Sequence, residues 1–376
     1  MHILIAPDSF KESLSAPQVA QALQTGFSQA MPDASFDLLP VGDGGEGTMA
    51  ALTAALGWAE FYHTVTGPLG QPVKMPYARN DQQALFEMAD LVGLASIPQE
   101  KRNPLAIETK GLGELILHLA EVGVRKILVG VGGSASNDGG IGLAAGLGYE
   151  FFDENNHRLR PIGSSLGRVA RISAERVPTF LKEVEIEILT DVDNPLCGER
   201  GATTVFGGQK GLAPLLFSQV DQAMADFYQL VDPQVIDMEG AGAGGGMAAG
   251  LVAFAGGKIV SGIETCLDLL DFDDRVKKAD LVVVGEGRMD RQSLAGKAPV
   301  GIARRTPDGI PVLAICGSLA DDLPDFPVGN IQAAFPIISQ VADLDTTLGR
   351  ARENLVRTAR NIGNLLAIKK RLGQKS

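Results

Sequence analysis

The sequence predicts an α/β fold in which a Rossmann-like domain with a mostly parallel sheet carries a second, inserted α/β domain. Short apolar or β-branched runs alternate with segments of helical period, as in strands joined by helices. The chain has 376 residues, which is more than one ordinary domain. Its 46 glycines, with 45% hydrophobic but only 5% aromatic residues, favour packed strands and glycine-rich loops over disorder or a fibrous repeat.

Short apolar runs, several of which end at a glycine or an acid, are the predicted strands. They are residues 3–6, 36–41, 127–131, 186–189, 281–284, 312–315 and 333–335. A helix is predicted to follow Ser15, a favourable N-cap, with Pro17 in its first turn. The apolar spacing over residues 348–366 predicts a long amphipathic helix near the end of the chain.

The middle of the chain has a different pattern, which predicts the domain division. Residues 62–100 read as short strands separated by turns, and residues 153–182 are polar and rich in loops. We therefore expect residues 1–65 and 265–376 to form the Rossmann-like domain and residues 66–264 to form the inserted domain.

Charge and cysteine usage exclude several classes of protein. A net charge of −12 without a sustained basic run argues against nucleic acid as a partner. Cys197, Cys266 and Cys316 are widely spaced, which predicts neither a disulfide framework nor a zinc site. The apolar run at residues 3–6 is too short for a signal peptide, and no segment has the length of a membrane span. We expect a soluble, cytoplasmic protein with no membrane partner.

The segment KILVGVGGSASNDGGIGLAAGLG, residues 126–148, is the most informative in the chain. An apolar strand leads into a loop that carries Ser134, Ser136, Asn137 and Asp138, and a helix pattern of small residues follows. Glycines let the backbone approach a ligand, and short polar side chains lose little entropy on binding it. The pattern predicts a site for a small, charged ligand at the carboxyl end of a strand.

Two further loops near the N-terminus have the same character. Asp8, Ser9 and Lys11 follow the first predicted strand, and a solvated loop is the alternative interpretation. The second strand leads into GDGGEGT, where Asp43 and Glu46 lie among glycines. Exposed N–H groups beside carboxylates suit a phosphate with Mg²⁺, although a plain glycine-rich connector has the same composition.

Two more acidic loops follow strands later in the chain. Asp191 and Asp193 resemble half of a cation site, but the remaining positions of an EF-hand are missing and an Asx turn before Pro195 is the alternative. Glu286, Arg288 and Asp290 combine acids with a guanidinium that pairs with carboxylate or phosphate in a bidentate manner. An internal ion network is the alternative for this set.

The motifs that are missing narrow the chemistry further. The sequence has no GxxxxGK[ST], no HRD with DFG and no GxSxG, which excludes the P-loop, protein-kinase and serine-hydrolase arrangements. A GxGxxG match at residues 240–245 does not follow a convincing strand and is a weak dinucleotide fingerprint. The histidines lie outside the glycine and acid loops, so we expect carboxylates to carry out any acid–base catalysis.

Taken together, these loops resemble the bacterial glycerate kinase type 1 family. The matching segments, in order, are APDSFKESLSA (6–16), VGDGGEGT (41–48), TVTGPLG (64–70), GGSASNDGGIG (132–142), DVDNPLCGERGA (191–202), FGGQKG (206–211), GAGAGGG (240–246) and GEGRMD (285–290). The resemblance implies an ATP-dependent kinase that phosphorylates glycerate in a cleft between a Rossmann-like domain and a second α/β domain. Glu12, where the family often has glycine, and Gly208, where proline is common, are small departures from its pattern.

Phosphoryl transfer requires mainly positioning, charge neutralisation and a carboxylate that orients the acceptor hydroxyl. We expect Asp191 to be the base, with Asp43 as second choice and Lys11 as a catalytic cation. The other expected site residues are Asp8, Ser9, Ser134, Asn137, Asp138 and Arg288 for substrate, Gly44, Gly45, Glu286 and Asp290 for nucleotide, and Asp43, Glu46 and Asp193 for Mg²⁺. Lys11 or Arg288 would bind the carboxylate of glycerate.

The expected reaction is attack of a glycerate hydroxyl on the γ-phosphate of ATP, with 2-phosphoglycerate favoured over 3-phosphoglycerate because family members of this type lean towards the former. The sequence leaves open which loop holds nucleotide and which holds glycerate. Two other functions stay open from the residues alone: an NAD(P)-dependent hydroxy-acid dehydrogenase and a non-catalytic solute-binding protein.

Overall fold

The computed structural model describes residues 1–294 and 296–373. Its strands are β1 (His2–Pro7), β2 (Ser35–Leu38), β3 (Ala59–Thr66), β4 (Pro72–Arg79), β5 (Gln83–Glu87), β6 (Lys126–Gly130), β7 (Glu150–Phe152), β8 (Arg171–Ser173), β9 (Glu185–Leu189), β10 (Lys258–Val260), β11 (Leu281–Gly285), β12 (Arg288–Met289), β13 (Val312–Cys316), β14 (Ser318–Leu319) and β15 (Ile331–Pro336). Its α-helices are α1 (Ala16–Ala30), α2 (Thr48–Leu56), α3 (Ala89–Val92), α4 (Lys110–Glu121), α5 (Ile141–Gly146), α6 (Ala202–Phe206), α7 (Phe217–Val231), α8 (Ala243–Ala255), α9 (Gly262–Leu269), α10 (Phe272–Val276), α11 (Arg291–Leu294), α12 (Ala298–Arg305), α13 (Leu344–Gly349) and α14 (Ala351–Gly373).

The chain forms two compact units. Unit 1 comprises residues 1–43, 50–57 and the chain from residue 263 onward, and unit 2 comprises residues 44–49 and 58–262. The predicted α/β class with mostly parallel sheets is confirmed, whereas the domain boundaries predicted near residues 65 and 265 stay a prediction. Within the described residues, every helix is too short or too polar to cross a membrane.

Unit 1 is built on a parallel sheet with a reversal in its strand order. The order is β15-β13-β11-β1-β2, and each neighbouring pair is parallel. β1 lies inside the sheet. The next strand along the chain, β2, pairs with one side of β1, and the later strand β11 pairs with its other side. In open α/β sheets, ligands bind outside the carboxyl ends of the strands at such a switch point. The topology therefore predicts a ligand site at the residues that follow β1 and β11.

Helices cover the sheet of unit 1 and bury its apolar strands. α1 and α14 pack against one another, and Phe27 and Leu355 are fully buried in the same core as Ile3 and Val283 of the sheet. α1 begins directly after Ser15, as predicted, and the Ser15 N–H donates to Gln18 Oε1 at 2.9 Å. The strand predicted over residues 36–41 ends earlier, and the single predicted terminal helix is two helices, α13 and α14.

Unit 2 is built on a mixed six-stranded sheet. Its order is β10-β9-β6-β5-β4-β3, in which β5, β6, β9 and β10 are parallel and the β3–β4 hairpin joins antiparallel at one edge. This hairpin and β5 account for the strand-like pattern predicted over residues 62–100. A short antiparallel pair, β7 with β8, lies outside the main sheet. Two of the loops that the sequence analysis singled out, at residues 132–142 and 191–195, follow the carboxyl ends of β6 and β9.

Candidate active site

A cavity of about 640 Å³ in unit 1 lies at the switch point of its sheet. β1 and β11 pair along their length until Pro7 lies opposite Gly285, and the Asp8 N–H donates to Gly285 O at 2.8 Å. The loops that follow both strands therefore open into the same cavity. The predicted site residues that line it are Asp8, Ser9, Lys11, Asp43, Glu286, Arg288 and Asp290. The fold thus brings together residues that are far apart in the chain.

Acidic groups in this cavity have perturbed acidities. Burial and the neighbouring charge of Asp43 raise the pKa of Asp8 well above its usual value. Burial raises the pKa of Glu286 to about 7. Glu286 is 6% exposed, and its Oε1 has no hydrogen-bond partner among the residues described. A buried carboxylate beside other acids is poorly compensated, so the cavity is suited to a cation or a hydrogen-bond donor from a ligand.

The burial of Glu286 predicts a pH-dependent gain in stability for Glu286→Gln. Between the ordinary pKa of 4.5 and the folded value of about 7, the unfolded chain releases this proton while the folded protein keeps it. Wild-type stability therefore falls across this window as pH rises, and glutamine removes the loss. We expect the variant to be more stable than wild type by up to about 3 kcal/mol above pH 7, with no difference below pH 4.5.

Thermal melts of both proteins from below pH 4.5 to above pH 7 measure this difference. Glu353→Gln, at an exposed glutamate of the same unit, is the matched control and should show no pH-dependent gain. A Glu286→Gln curve parallel to wild type at every pH would contradict a carboxyl group whose pKa is raised by burial.

The same cavity also has cationic and apolar lining. Lys11, Arg288 and Lys297 bring positive charge, and Lys297 directly precedes α12. Apolar side chains come from other elements: Ile337 and Ile338 follow β15, and Leu348 lies on α13. The volume is within the range of small-molecule sites, which combine an apolar lining with a few placed polar groups.

Glu12 borders this cavity and has an unusual backbone conformation. Its φ is 62°, in the left-handed region that favours glycine, and it is one of the departures from the family pattern noted above. A non-glycine residue in that region costs roughly 1–2 kcal/mol. The preference for glycine at this position therefore has a conformational cause.

The loop after β6 is only partly a surface for ligands. Asp138 is fully buried and accepts hydrogen bonds from Thr109 Oγ1 at 2.6 Å and from the Gly140 N–H at 3.1 Å. Asn137 is also fully buried and donates through Nδ2 to Thr203 Oγ1 at 3.0 Å. These contacts hold the start of α5 and its surroundings together, and the predicted contact of the two side chains with substrate stays a prediction. Ser134 differs, since it lines a small cavity in unit 2.

Asp191 and Asp193 follow β9 and line an open depression in unit 2. Asp191 Oδ1 accepts from Ser261 Oγ at 2.8 Å and from the Gly262 N–H at 2.9 Å, which fixes the plane of the carboxylate. Asp193 is exposed and pairs with Arg200 at 2.8 Å. The first is a positioned carboxylate, whereas the second has an arginine partner.

The glycine and acid loop at residues 44–49 is anchored by a residue that the sequence interpretation missed. Glu87, the last residue of β5, accepts from the Gly47 N–H at 3.0 Å and the Met49 N–H at 2.5 Å. Burial raises its pKa to about 8. Glu46 of this loop is exposed, and the Gly44 N–H donates to Thr48 Oγ1 at 3.1 Å. The position of Glu87 at the carboxyl end of the apolar run of β5 is a sequence pattern that could have marked it as a candidate site residue.

Lys210 is the second missed residue. It is 3% exposed, and its Nζ donates to Ser134 Oγ at 2.9 Å and to the Ser136 carbonyl at 2.7 Å. In the sequence, Lys210 lies in the segment FGGQKG, and no role was predicted for it. A single lysine in a glycine-rich turn has no local signal of burial.

The predicted magnesium ligands do not form one cluster. Across residues 1–294 and 296–373, no group of three or more His, Cys, Asp or Glu side chains is arranged to hold a metal ion. Asp43 lines the cavity in unit 1, whereas Glu46 and Asp193 belong to unit 2, where both are exposed. Mg²⁺ is commonly held by one or two carboxylates together with water and substrate phosphates. Asp43 beside Asp8 meets that requirement, and the arginine-paired Asp193 fits it poorly.

Comparisons with known proteins identify close relatives over nearly the whole chain. A model of the glycerate kinase family matches residues 3–367. A glycerate kinase from Neisseria meningitidis serogroup B is 57% identical over 370 residues, which cover 98% of this chain and all of that protein. A glycerate 2-kinase from Escherichia coli K12 is 41% identical over 375 residues, with 98% of each chain covered. A crystal structure of a glycerate kinase 2 from Salmonella typhimurium LT2 superposes with a TM-score of 0.85 at 39% identity, and 99% of each chain is covered.

Proposed function

Because the chain belongs to the glycerate kinase family, we propose that it transfers the γ-phosphoryl group of ATP to a hydroxyl group of glycerate. We favour 2-phosphoglycerate as the product, which agrees with the name of the Escherichia coli relative, glycerate 2-kinase. A cytoplasmic location is part of the proposal, since the reaction draws on ATP.

The observation that carries the proposal is the cavity at the switch point of unit 1. Its acids and cations come from the loops after β1 and β11, and its volume of about 640 Å³ is adequate for a nucleotide. Lys11, Arg288 and Lys297 would neutralise phosphate charge, and the apolar side chains around Ile338 would receive the adenine ring. Glu286 and Asp290, predicted as nucleotide contacts, line the same cavity, as do Asp8 and Ser9.

Asp43, with Asp8 nearby, is the proposed holder of Mg²⁺. Burial and the charge of Asp43 raise the pKa of Asp8, against an opposing influence from Lys11. A divalent cation bound at these acids would reduce the repulsion between them. When bound, the ion would supply charge neutralisation at the phosphates. The protein itself contributes the placement of these carboxylates at the ends of its strands.

Asp191 is the proposed base. Its carboxylate is oriented by Ser261 and Gly262, so it can accept a proton in a defined direction. Asp43 is the alternative base.

The reaction is tested by incubating the purified protein with glycerate, ATP and Mg²⁺ and measuring ADP release. Phosphorus NMR of the product then distinguishes the 2-phosphate from the 3-phosphate. We expect ADP formation that depends on glycerate. Reduction of NAD(P)⁺ by glycerate in the absence of ATP would indicate a dehydrogenase instead, and glycerate binding without turnover would indicate a solute-binding protein.

A further inference from the structure

Lys210 in unit 2 is a buried cation that the proposed reaction does not yet use. It ends the 3₁₀ turn Gly208–Lys210, and its Nζ lies at the loop that follows the carboxyl end of β6. Both hydrogen-bond acceptors, Ser134 Oγ and the Ser136 carbonyl, are neutral. Within the described residues, no carboxylate lies at ion-pair distance from Nζ.

A buried ammonium group without an ion-pair partner is costly. Removing a charge from water carries a penalty of several kcal/mol, which two neutral acceptors offset only in part. In accord with this, burial lowers the pKa of Lys210 to about 7, against an opposing influence from the charge of Asp138. Asp138 itself is already engaged with Thr109, Gly140 and Gly142. An anionic group of a ligand would therefore stabilise the buried ammonium group of Lys210.

Lys210 lines a cavity of about 160 Å³ in unit 2. Gly132, Gly133, Ser134 and Thr190, which follow β6 and β9, line it as well. In the part of the chain that the structure describes, the N–H groups of Gly133 and Ser134 donate to no protein acceptor. The volume is too small for a nucleotide but adequate for a molecule with a few heavy atoms.

The backbone at Gly245 packs closely against Ser136 and Lys210. A Cβ atom on Gly245, whose φ is 75°, would lie 2.2 Å from the Ser136 carbonyl oxygen and 2.9 Å from Lys210 Nζ. Only a glycine in the left-handed conformation lets the start of α8 approach the lysine so closely. The packing therefore holds the ammonium group in one place beside the cavity.

We propose that this cavity is the carboxylate subsite for the small hydroxy acid, in which the ammonium group of Lys210 pairs with the carboxylate and the Gly133 and Ser134 N–H groups support it. The proposal rests on the proposed function for the identity of the ligand, glycerate. It replaces Lys11 and Arg288 as the partners of the substrate carboxylate and leaves both available for phosphate.

Direct binding tests the subsite without catalysis. Calorimetric titration with glycerate, with glycerol and with inorganic phosphate compares three ligands that differ in their charged group. We expect wild type to bind glycerate and not glycerol, and Lys210→Met to bind glycerate about 10- to 100-fold more weakly, the range for loss of one charge-assisted hydrogen bond. Phosphate that binds tightly and displaces glycerate through Lys210 would overturn the assignment to a carboxylate.

Lys126→Met is the matched control. Lys126 begins β6, at the end of the strand away from the cavity, and pairs with Glu187 at 2.6 Å. The control removes a lysine from the same unit, on the strand that leads to the cavity, and should bind glycerate like wild type. Methionine suits a buried site, since replacing a buried charge by an apolar residue of similar volume is often tolerated. Should Lys210→Met not fold, Lys210→Gln keeps a donor for Ser134 and Ser136 while it removes the charge.

Steady-state kinetics separates a binding role from a structural one. We expect Lys210→Met to raise KM for glycerate about 10- to 100-fold and to leave KM for ATP within about twofold of wild type. A folded variant with unchanged glycerate affinity would overturn the proposal, and so would equal losses for both substrates. Wild-type protein that binds glycerate through Lys210 but releases no ADP would contradict the proposed function while it upholds the subsite.

Discussion

Replacement of Asp191 by asparagine is expected to lower kcat about 10³-fold, within the range found for removal of a general base. The side chain keeps its shape, and the asparagine carbonyl oxygen can still accept from Ser261 and Gly262 as Asp191 Oδ1 does at 2.8 and 2.9 Å. The fold and ATP affinity should therefore stay unchanged, because only the ability to take the proton of the attacking hydroxyl is lost. Turnover and ATP binding are measured on the same preparation.

Two further variants make the Asp191 result specific. Asp226→Asn, on α7 in the same unit, changes an exposed carboxylate that interacts with Gln222 and should keep wild-type turnover. Asp43→Asn examines the second candidate for the base. A near wild-type kcat for Asp191→Asn together with a large loss for Asp43→Asn would move the role of base to Asp43.

Replacement of Gly44 by alanine is expected to destabilise unit 2 by about 2–5 kcal/mol, the sum of backbone strain and overpacking. Gly44 has a φ of 84°, and a Cβ atom there would lie 2.5 Å from the carbonyl oxygen of Leu189, the last residue of β9. Neither backbone can yield cheaply, since the loop is tied through Gly47 and Met49 to the buried Glu87. Denaturant unfolding followed by the fluorescence of Trp58, the one tryptophan of the chain, reports on this unit.

Gly123→Ala separates the two causes of this loss. Gly123 belongs to the same unit and also has a positive φ, 94°, but nothing lies within 4 Å of the position of a Cβ atom. This control should cost only the backbone strain, about 1–2 kcal/mol. Equal losses in the two variants would show that the close approach of Gly44 to Leu189 contributes nothing to stability.

Seven residues that local sequence patterns marked as site residues line one cavity of unit 1. Lys11 and Arg288 were recognised because each follows a strand in a polar, glycine-containing loop. Loops at the carboxyl ends of parallel strands meet at one edge of the sheet, so residues separated by most of the chain become neighbours. The pairing of β1 with β11 brings this about.

The same kind of pattern after β6 includes residues with a structural role. Asn137 and Asp138 have the composition of a ligand loop, but both are buried and bonded to Thr203 and Thr109. Short polar residues satisfy buried backbone and hydroxyl groups as well as they bind ligands, and local sequence does not distinguish the two uses. Lys210 is the opposite case, because its burial depends on packing against segments distant in the chain.

The sequence by itself determined the α/β class, seven of the strands, the start of α1 and the family, because periodicity, capping residues and ordered motifs are local properties of the chain. Only the tertiary structure decided which polar loops share a cavity, which acids have raised pKa values and which cation lacks an ionic partner. Burial and charge proximity arise from contacts between distant segments, and these physical quantities set the free energy of a charged group in its site.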